Sequence, residues 1–128
     1  MKNLIKTKNA PEAIGPYSQA IAVNGFLFTA GQIPIVPATG KFIEGGIKEQ
    51  TAQVLKNVKA VIEAGHSSMP MVVKTTVYLT SAENFNAMNE VYASFFNAND
   101  KPPARTTVFV SALPKGALVE IDAVATFE

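Results

Sequence analysis

Residues 101–128 read KPPARTTVFVSALPKGALVEIDAVATFE, two apolar runs separated by a proline and glycine turn. The runs at 106–110 and 118–127 are rich in β-branched and aromatic residues, and the turn signals at Pro114 and Gly116 make an antiparallel pair of strands the simplest arrangement. Side chains alternate faces along a strand. Arg105, Thr107, Phe109 and Ser111 then share one face of the first strand. On the second, Leu118, Glu120, Asp122 and Val124 share a face, and Val119, Ile121, Ala123, Ala125 and Phe127 take the more apolar one.

Arg105 is the only arginine in a chain whose other cationic side chains are ten lysines. A guanidinium grips a carboxylate through two parallel hydrogen bonds, which an ammonium cannot do. Glu120 stands inside a strand, where acidic residues are depleted and seldom buried without a partner. Two readings stay open on the residues alone. If Arg105 and Glu120 look the same way, a carboxylate clamp and a general base border one pocket. Otherwise they are a surface arginine and a strand glutamate that faces water or a lysine.

A chain of 128 residues is one domain's worth, 1–128, with no linker or low-complexity run. It has no cysteine, which excludes disulfides, thiolate metal sites and cysteine nucleophiles and fits a reducing compartment. The first residues lack the apolar core of a signal peptide, and no run approaches a membrane-spanning length, so a cytoplasmic protein without membrane contact is expected. Net charge is +1 and the lysines are scattered, a pattern that speaks against nucleic acid as a partner.

In chain order, residues 3–6 suit a short edge strand and 7–15 a loop. Residues 17–23 and 26–33 suit two strands joined by Asn24-Gly25, a dipeptide that tolerates positive φ at both positions of a tight hairpin turn. Gly31 inside the second run leaves room for a bulge or for a ligand to approach the backbone. Residues 34–46 read as a long loop. Ile47, Thr51, Val54, Leu55, Val58, Val61 and Ile62 then recur at helical spacing, giving an amphipathic helix of roughly four to five turns that ends at Gly65. His66 suits a position at its C-terminal end, where the helix dipole favours a cation, and no second histidine exists for a metal pair. Residues 71–79 suit a central strand. Ser81 suits an N-cap with Glu83 in the first turn of a second helix, whose Phe85, Met88, Tyr92, Phe95 and Phe96 form a core stripe with Asn89 at its edge. Residues 97–103 lead back to Arg105.

This order predicts an α+β fold in which two helices pack on one face of a mixed β-sheet. Strands at 26–28 and 108–110 are apolar on both faces, yet the chain offers no third layer. A homo-oligomer whose sheets pack together, closed as a ring, would cover that surface and could complete a pocket at Arg105 and Glu120.

Pro103-Ala104-Arg105-Thr106-Thr107-Val108, followed by Leu113-Pro114 and Val119-Glu120-Ile121, resembles the signature of the Rid family, also called YjgF or L-PSP, closest to its reactive intermediate deaminase A branch. Residues 14–19 (IGPYSQ), 29–34 (TAGQIP) and 73–77 (VKTTV) are similar to its other motifs, so the likeness extends over nearly the whole chain. The resemblance implies a chorismate-mutase-like fold, a homotrimer with sites at the subunit interfaces, and hydrolysis of 2-imino acids such as 2-iminobutanoate and 2-iminopropanoate to 2-oxo acids and ammonia. These imines arise from enamines such as 2-aminoacrylate. It further implies that Arg105 binds the substrate carboxylate, that Glu120 activates water and shuttles a proton, and that Tyr17 lines the site with its ring and hydroxyl. Gly31 would present backbone to the ligand, and Phe85 and Asn89 would come from the second helix. No cofactor is implied, because an imine carbon is already electrophilic, and no metal. Ala30 stands where the family often has serine and Thr107 where it often has cysteine, which bears on substrate preference and rate. Two other classes of function stay in view: endoribonuclease or translation inhibitor, and a non-enzymatic trimer that binds small carboxylates or acts as a holdase.

Overall fold

The computed structural model describes residues 1–96 and 101–127. Helix α1 spans Ile47–Ala64 and buries Thr51, Val54, Leu55, Val58, Val61 and Ile62 along one stripe, while Lys48, Glu49, Lys56, Lys59 and Glu63 face water. Each fully buried Val, Leu or Ile contributes about 1.5–3 kcal/mol, so this stripe far outweighs intrinsic helix propensity in holding α1. At its start the Glu49 carboxylate accepts the Gly46 N–H at 2.8 Å. The helix ends at Gly65, as the sequence predicts. Gly65 follows the helix with φ −90°, and His66 takes the left-handed conformation at φ 64°. Gly65 is small for packing instead, since a Cβ there would collide with the Leu27 side chain.

Strands β1 (Asn3–Ile5), β2 (Ala20–Val23) and β3 (Phe26–Thr29) form a meander, and Asn24 and Gly25 turn the β2–β3 hairpin with φ of 50° and 81°. The stretch 34–46 is not wholly loop. Strands β4 (Ile35–Val36) and β5 (Lys41–Phe42) pair within it, and the buried Asn57 of α1 donates to the carbonyls of Ile33 and Ile35 at 3.1 and 2.9 Å. Strand β6 (Val72–Leu79) is followed by a short 3₁₀ turn, in which the Ser81 hydroxyl accepts the Glu83 N–H at 3.3 Å. Helix α2 (Phe85–Phe96) then buries Met88, Tyr92 and Phe96 at i, i+4 and i+8. The expected return over 97–103 falls in part on residues 97–100, outside those described. Strands β7 (Ala104–Phe109) and β8 (Val119–Thr126) complete the chain.

The six-stranded sheet runs β1-β2-β3-β8-β6-β7 and is antiparallel except for the parallel β6–β7 pair. The expected antiparallel pairing of the last two strands is therefore corrected: β6 lies between β7 and β8. Turn residues at 111–117 report a reversal of the chain but not which neighbour each strand finds. The crossover through α2 sets β7 parallel to β6 at the edge, and β8 takes the central place between β3 and β6.

The α+β layering is as the sequence predicts. Leu27, Val77, Leu79, Val119, Ile121, Ala123 and Ala125 pack beneath α1 and α2. The other sheet face is open in the single chain. It carries Leu4, Ile21, Val23, Phe26, Phe28 and Val124, linked by direct cross-strand pairing, and Phe26 and Phe28 remain 44% and 46% exposed. Phe109 is a different case, since its strand register places it on the helix side, against Phe85.

Candidate functional site

Register fixes the direction of each candidate side chain. Arg105 pairs with Thr75, which pairs on its other side with the buried Ala123, so Arg105 points to the helix face. Its guanidinium lies 4.8 Å from the ring centre of Tyr92 and 5.7 Å from that of Phe85, both on α2. The aromatic faces hold the cation without neutralising it. Among the described residues no carboxylate pairs with Arg105, the one ion pair there being Lys48–Glu90 at 2.7 Å. Tyr92 is fixed in turn by a 2.6 Å hydrogen bond between its hydroxyl and that of Thr75. Burial pushes the Tyr92 phenol above its ordinary pKa, against the smaller opposing effects of the Thr75 hydrogen bond and the Arg105 charge. A guanidinium held over neutral rings keeps the planar fork of donors that matches a carboxylate.

Thr107 shares that face, two residues along β7 and paired with Val77. Phe85 and Asn89 lie one helical turn apart on α2 and are both half-buried. Phe85 bridges the cluster, since it also meets Phe109 at 6.5 Å between ring centres, and Phe109 is 54% exposed. The structure thus brings Arg105, Phe85 and Thr107 to one edge of the helix layer.

Glu120 is not among them. It pairs with Tyr78, between the core residues Val119 and Ile121, and so lies on the open face of the sheet. Its carboxyl occupies the space where a Cβ of Gly31 would be. Gly31 itself sits in a short interruption of pairing beyond β3. Ala30 donates its N–H to the Gln19 carbonyl at 2.8 Å, and Gln32 exchanges backbone hydrogen bonds with Ile121 at 2.9 and 3.2 Å. Gly31 thus gives close approach, and the group that approaches within this chain is the Glu120 side chain. Burial, and secondly the charge of Asp122, raise the Glu120 carboxyl above its ordinary pKa of 4.5.

Tyr17 lies in a third place. It is 53% exposed and borders a hollow of about 850 Å³ with Lys6, Lys8, Glu12 and Gln19, which contains neither Arg105 nor Glu120. The loop before it is pinned by the buried Gln19, whose side chain accepts the Thr7 N–H at 2.7 Å and donates to the carbonyls of Thr7 and Pro11 at 3.0 and 2.8 Å. Among the described residues no group of three or more His, Cys, Asp or Glu side chains is placed to hold a metal ion.

Sequence reasoning missed Tyr92, Gln19 and the Tyr78–Asp122 pair. Tyr92 was legible as the one hydroxyl in a stripe of phenylalanine and methionine. Gln19 carries no comparable local sign, because its partners lie eight to twelve residues away.

Comparison with known proteins places this arrangement in a group. A RutC family protein of Pyrococcus horikoshii is 55% identical over 125 residues, covering 98% of both chains. The human 2-iminobutanoate/2-iminopropanoate deaminase is 43% identical over 98% of this chain and 90% of its own. The crystal structure of E. coli TdcF with bound serine superposes with a TM-score of 0.93 at 38% identity, over 98% of this chain and 99% of that one. Residues 7–127 match the sequence profile of the endoribonuclease L-PSP family, and with these likenesses along almost its whole length the chain belongs to that family.

Proposed function

We propose that the protein hydrolyses 2-imino acids, such as 2-iminopropanoate and 2-iminobutanoate, to 2-oxo acids and ammonia at a site shared between subunits of a homotrimer. The observation that carries this reading is the Arg105 guanidinium, stacked on Tyr92 and Phe85 at an open sheet edge and paired with no carboxylate among the described residues. It would bind the substrate carboxylate in a bidentate pair. Glu120 would take a proton from water as its oxygen adds to the carbon of the protonated imine and deliver that proton to nitrogen; the new hydroxyl then loses its proton back to Glu120 as the C–N bond breaks, the C=O forms and ammonia leaves. Water supplies the oxygen of the 2-oxo acid, and no electrons are exchanged with a cofactor. Tyr17 and Asn89 would line the site, with Thr107 and Ala30 shaping its preference.

The human relative's name and the serine bound by TdcF favour a small amino-acid-derived carboxylate as ligand. Because the sheet separates Arg105 from Glu120 within one chain, their joint action requires a second copy, and the apolar open face offers a surface for it. Among the described residues no helix is long and apolar enough to cross a membrane.

The test is release of ammonia and 2-oxo acid from 2-aminoacrylate freshly generated by a coupled threonine dehydratase. Arg105→Lys, with its assembly unchanged, is expected to lose most of the activity, and full activity in that variant would overturn the clamp. RNA cleavage that depends on Arg105 would favour the endoribonuclease reading instead, against which the net charge of +1 speaks.

A further inference from the structure

Two carboxylates share the open face of β8. Glu120 and Asp122 are two residues apart, which in a strand is about 7 Å along the chain. Their partners on β6 are Tyr78 and Thr76. The Tyr78 hydroxyl has a choice, since it faces Glu120 directly and Asp122 diagonally. It donates to Asp122 Oδ2 at 2.9 Å. Glu120 turns the other way, against the backbone of Gly31, and among the described residues no hydrogen bond reaches its carboxyl. The cation of this face of β6, Lys74, is engaged by the Thr106 hydroxyl at 2.6 Å.

We propose that Tyr78 and Asp122 form a positioning pair that makes Glu120, rather than its neighbour, the carboxyl that carries the transferred proton. Tyr78 withholds its donor from Glu120, and Asp122 places a negative charge beside it. A carboxyl that is desolvated, flanked by like charge and without a donor holds its proton more tightly than an exposed one, and a general acid that must protonate a leaving amine near neutral pH needs that property. Pairs of titratable groups whose surroundings differ in this way divide acid and base roles between them. The rise of Glu120 and of the Tyr78 phenol above their ordinary values, burial being the largest cause for both and Asp122 contributing to each, has the direction this division requires. Within one chain the groups that face Glu120 are Asp122 from its own strand and Tyr78 from β6, while the Ala30–Gly31 segment contributes backbone only; in the proposed trimer the Arg105 guanidinium of a second copy would also face it, unchanged between the Asp122 variants and their parent.

The role of Tyr78 and Asp122 rests on the reading of Glu120 as proton carrier, so the experiment separates the two. In the full-length assembled protein, the Glu120 side-chain carboxyl is followed by carbon NMR across pH, with Glu120→Gln assigning the signal. The pH dependence of 2-iminopropanoate hydrolysis is measured beside it. Asp122→Asn is expected to shift both the Glu120 midpoint and the corresponding limb of the rate profile to lower pH, and Asp122→Glu, which keeps the charge, to leave both near those of the parent. An unshifted midpoint in Asp122→Asn overturns the pairing and leaves the Glu120 reading standing. A shifted midpoint with an unmoved rate limb overturns Glu120 as proton carrier, and the positioning role with it.

Discussion

Arg105 and Glu120 lie on opposite faces of one sheet, with β6 between their strands: Arg105 pairs with Thr75 on the helix side and Glu120 with Tyr78 on the open side. Two residues three apart in a strand, such as Thr75 and Tyr78, point in opposite directions, so no rotamer of either side chain brings the two functional groups into one hollow of the same subunit.

That separation predicts complementation. Arg105→Lys and Glu120→Gln proteins, each nearly inactive alone, are unfolded together, refolded as a mixture and assayed. If each site takes its arginine from one copy and its glutamate from the next, a random equal mixture of ring-shaped trimers regains about a quarter of the parent sites. A site built within one chain regains none.

Gly31→Ala isolates the packing of Glu120. The backbone there is not in the left-handed region, so alanine is not excluded by conformation, but its methyl collides with the Glu120 carboxyl. That carboxyl is the mobile end of a half-buried side chain and can swing aside. The expected outcome is a folded protein, within about 1 kcal/mol of the parent in urea unfolding, with at least a roughly tenfold loss of kcat. Severe destabilisation would show that Gly31 serves the fold more than the site.

The pH dependence of stability has a definite sign at Glu120. Its folded-state pKa lies above the ordinary 4.5, so the folded chain binds this proton more tightly than the unfolded chain does. Stability then falls as pH rises from about 4.5 through the folded value, and the penalty of the buried anion is fully present above it. Glu120→Gln removes that penalty. The variant is expected to gain on the parent in thermal midpoint at pH 7 and to lose that advantage at pH 4. A constant difference between the two proteins at both values would refute the linkage.

The helices, the Asn24-Gly25 hairpin and the core face of β8 were legible because each is written in local periodicity or turn chemistry. Alternation along β7 and β8 correctly grouped Arg105 with Thr107 and Phe109, and Glu120 with Asp122. What alternation cannot supply is the phase between two strands, which depends on the strand lodged between them. The run at 71–79 reads as a central strand, but nothing in its own residues states that it separates β7 from β8. Gly65 and His66 show the same limit at smaller scale. A glycine at a helix end suggests a left-handed residue, yet the long-range contact with Leu27 claims the glycine and leaves the positive φ to His66.

Asn57 ties the fold to the site. It is fully buried on α1, accepts a hydrogen bond from Gln53 at 3.0 Å and donates to the carbonyls of Ile33 and Ile35. Those carbonyls lie one and three residues beyond Gln32, whose backbone bridge to Ile121 seats Gly31 against Glu120. Asn57→Ala takes the Asn57 donor from the Ile35 carbonyl and the acceptor from the Gln53 amide, while the Ile33 carbonyl keeps the Ile35 N–H at 2.8 Å, and it opens a small void, at a cost of about 2–4 kcal/mol, measurable as a lower urea midpoint. Since Arg105 stands on the far side of the sheet, affinity for a small carboxylate such as 2-oxobutanoate should change less than twofold to threefold, a margin of about 0.6 kcal/mol. The turnover of imino acid falls, because the strand segment that positions Glu120 has lost its anchor. Equal loss of carboxylate affinity and of turnover would show that Asn57 supports the whole fold evenly and has no special link to the Glu120 side.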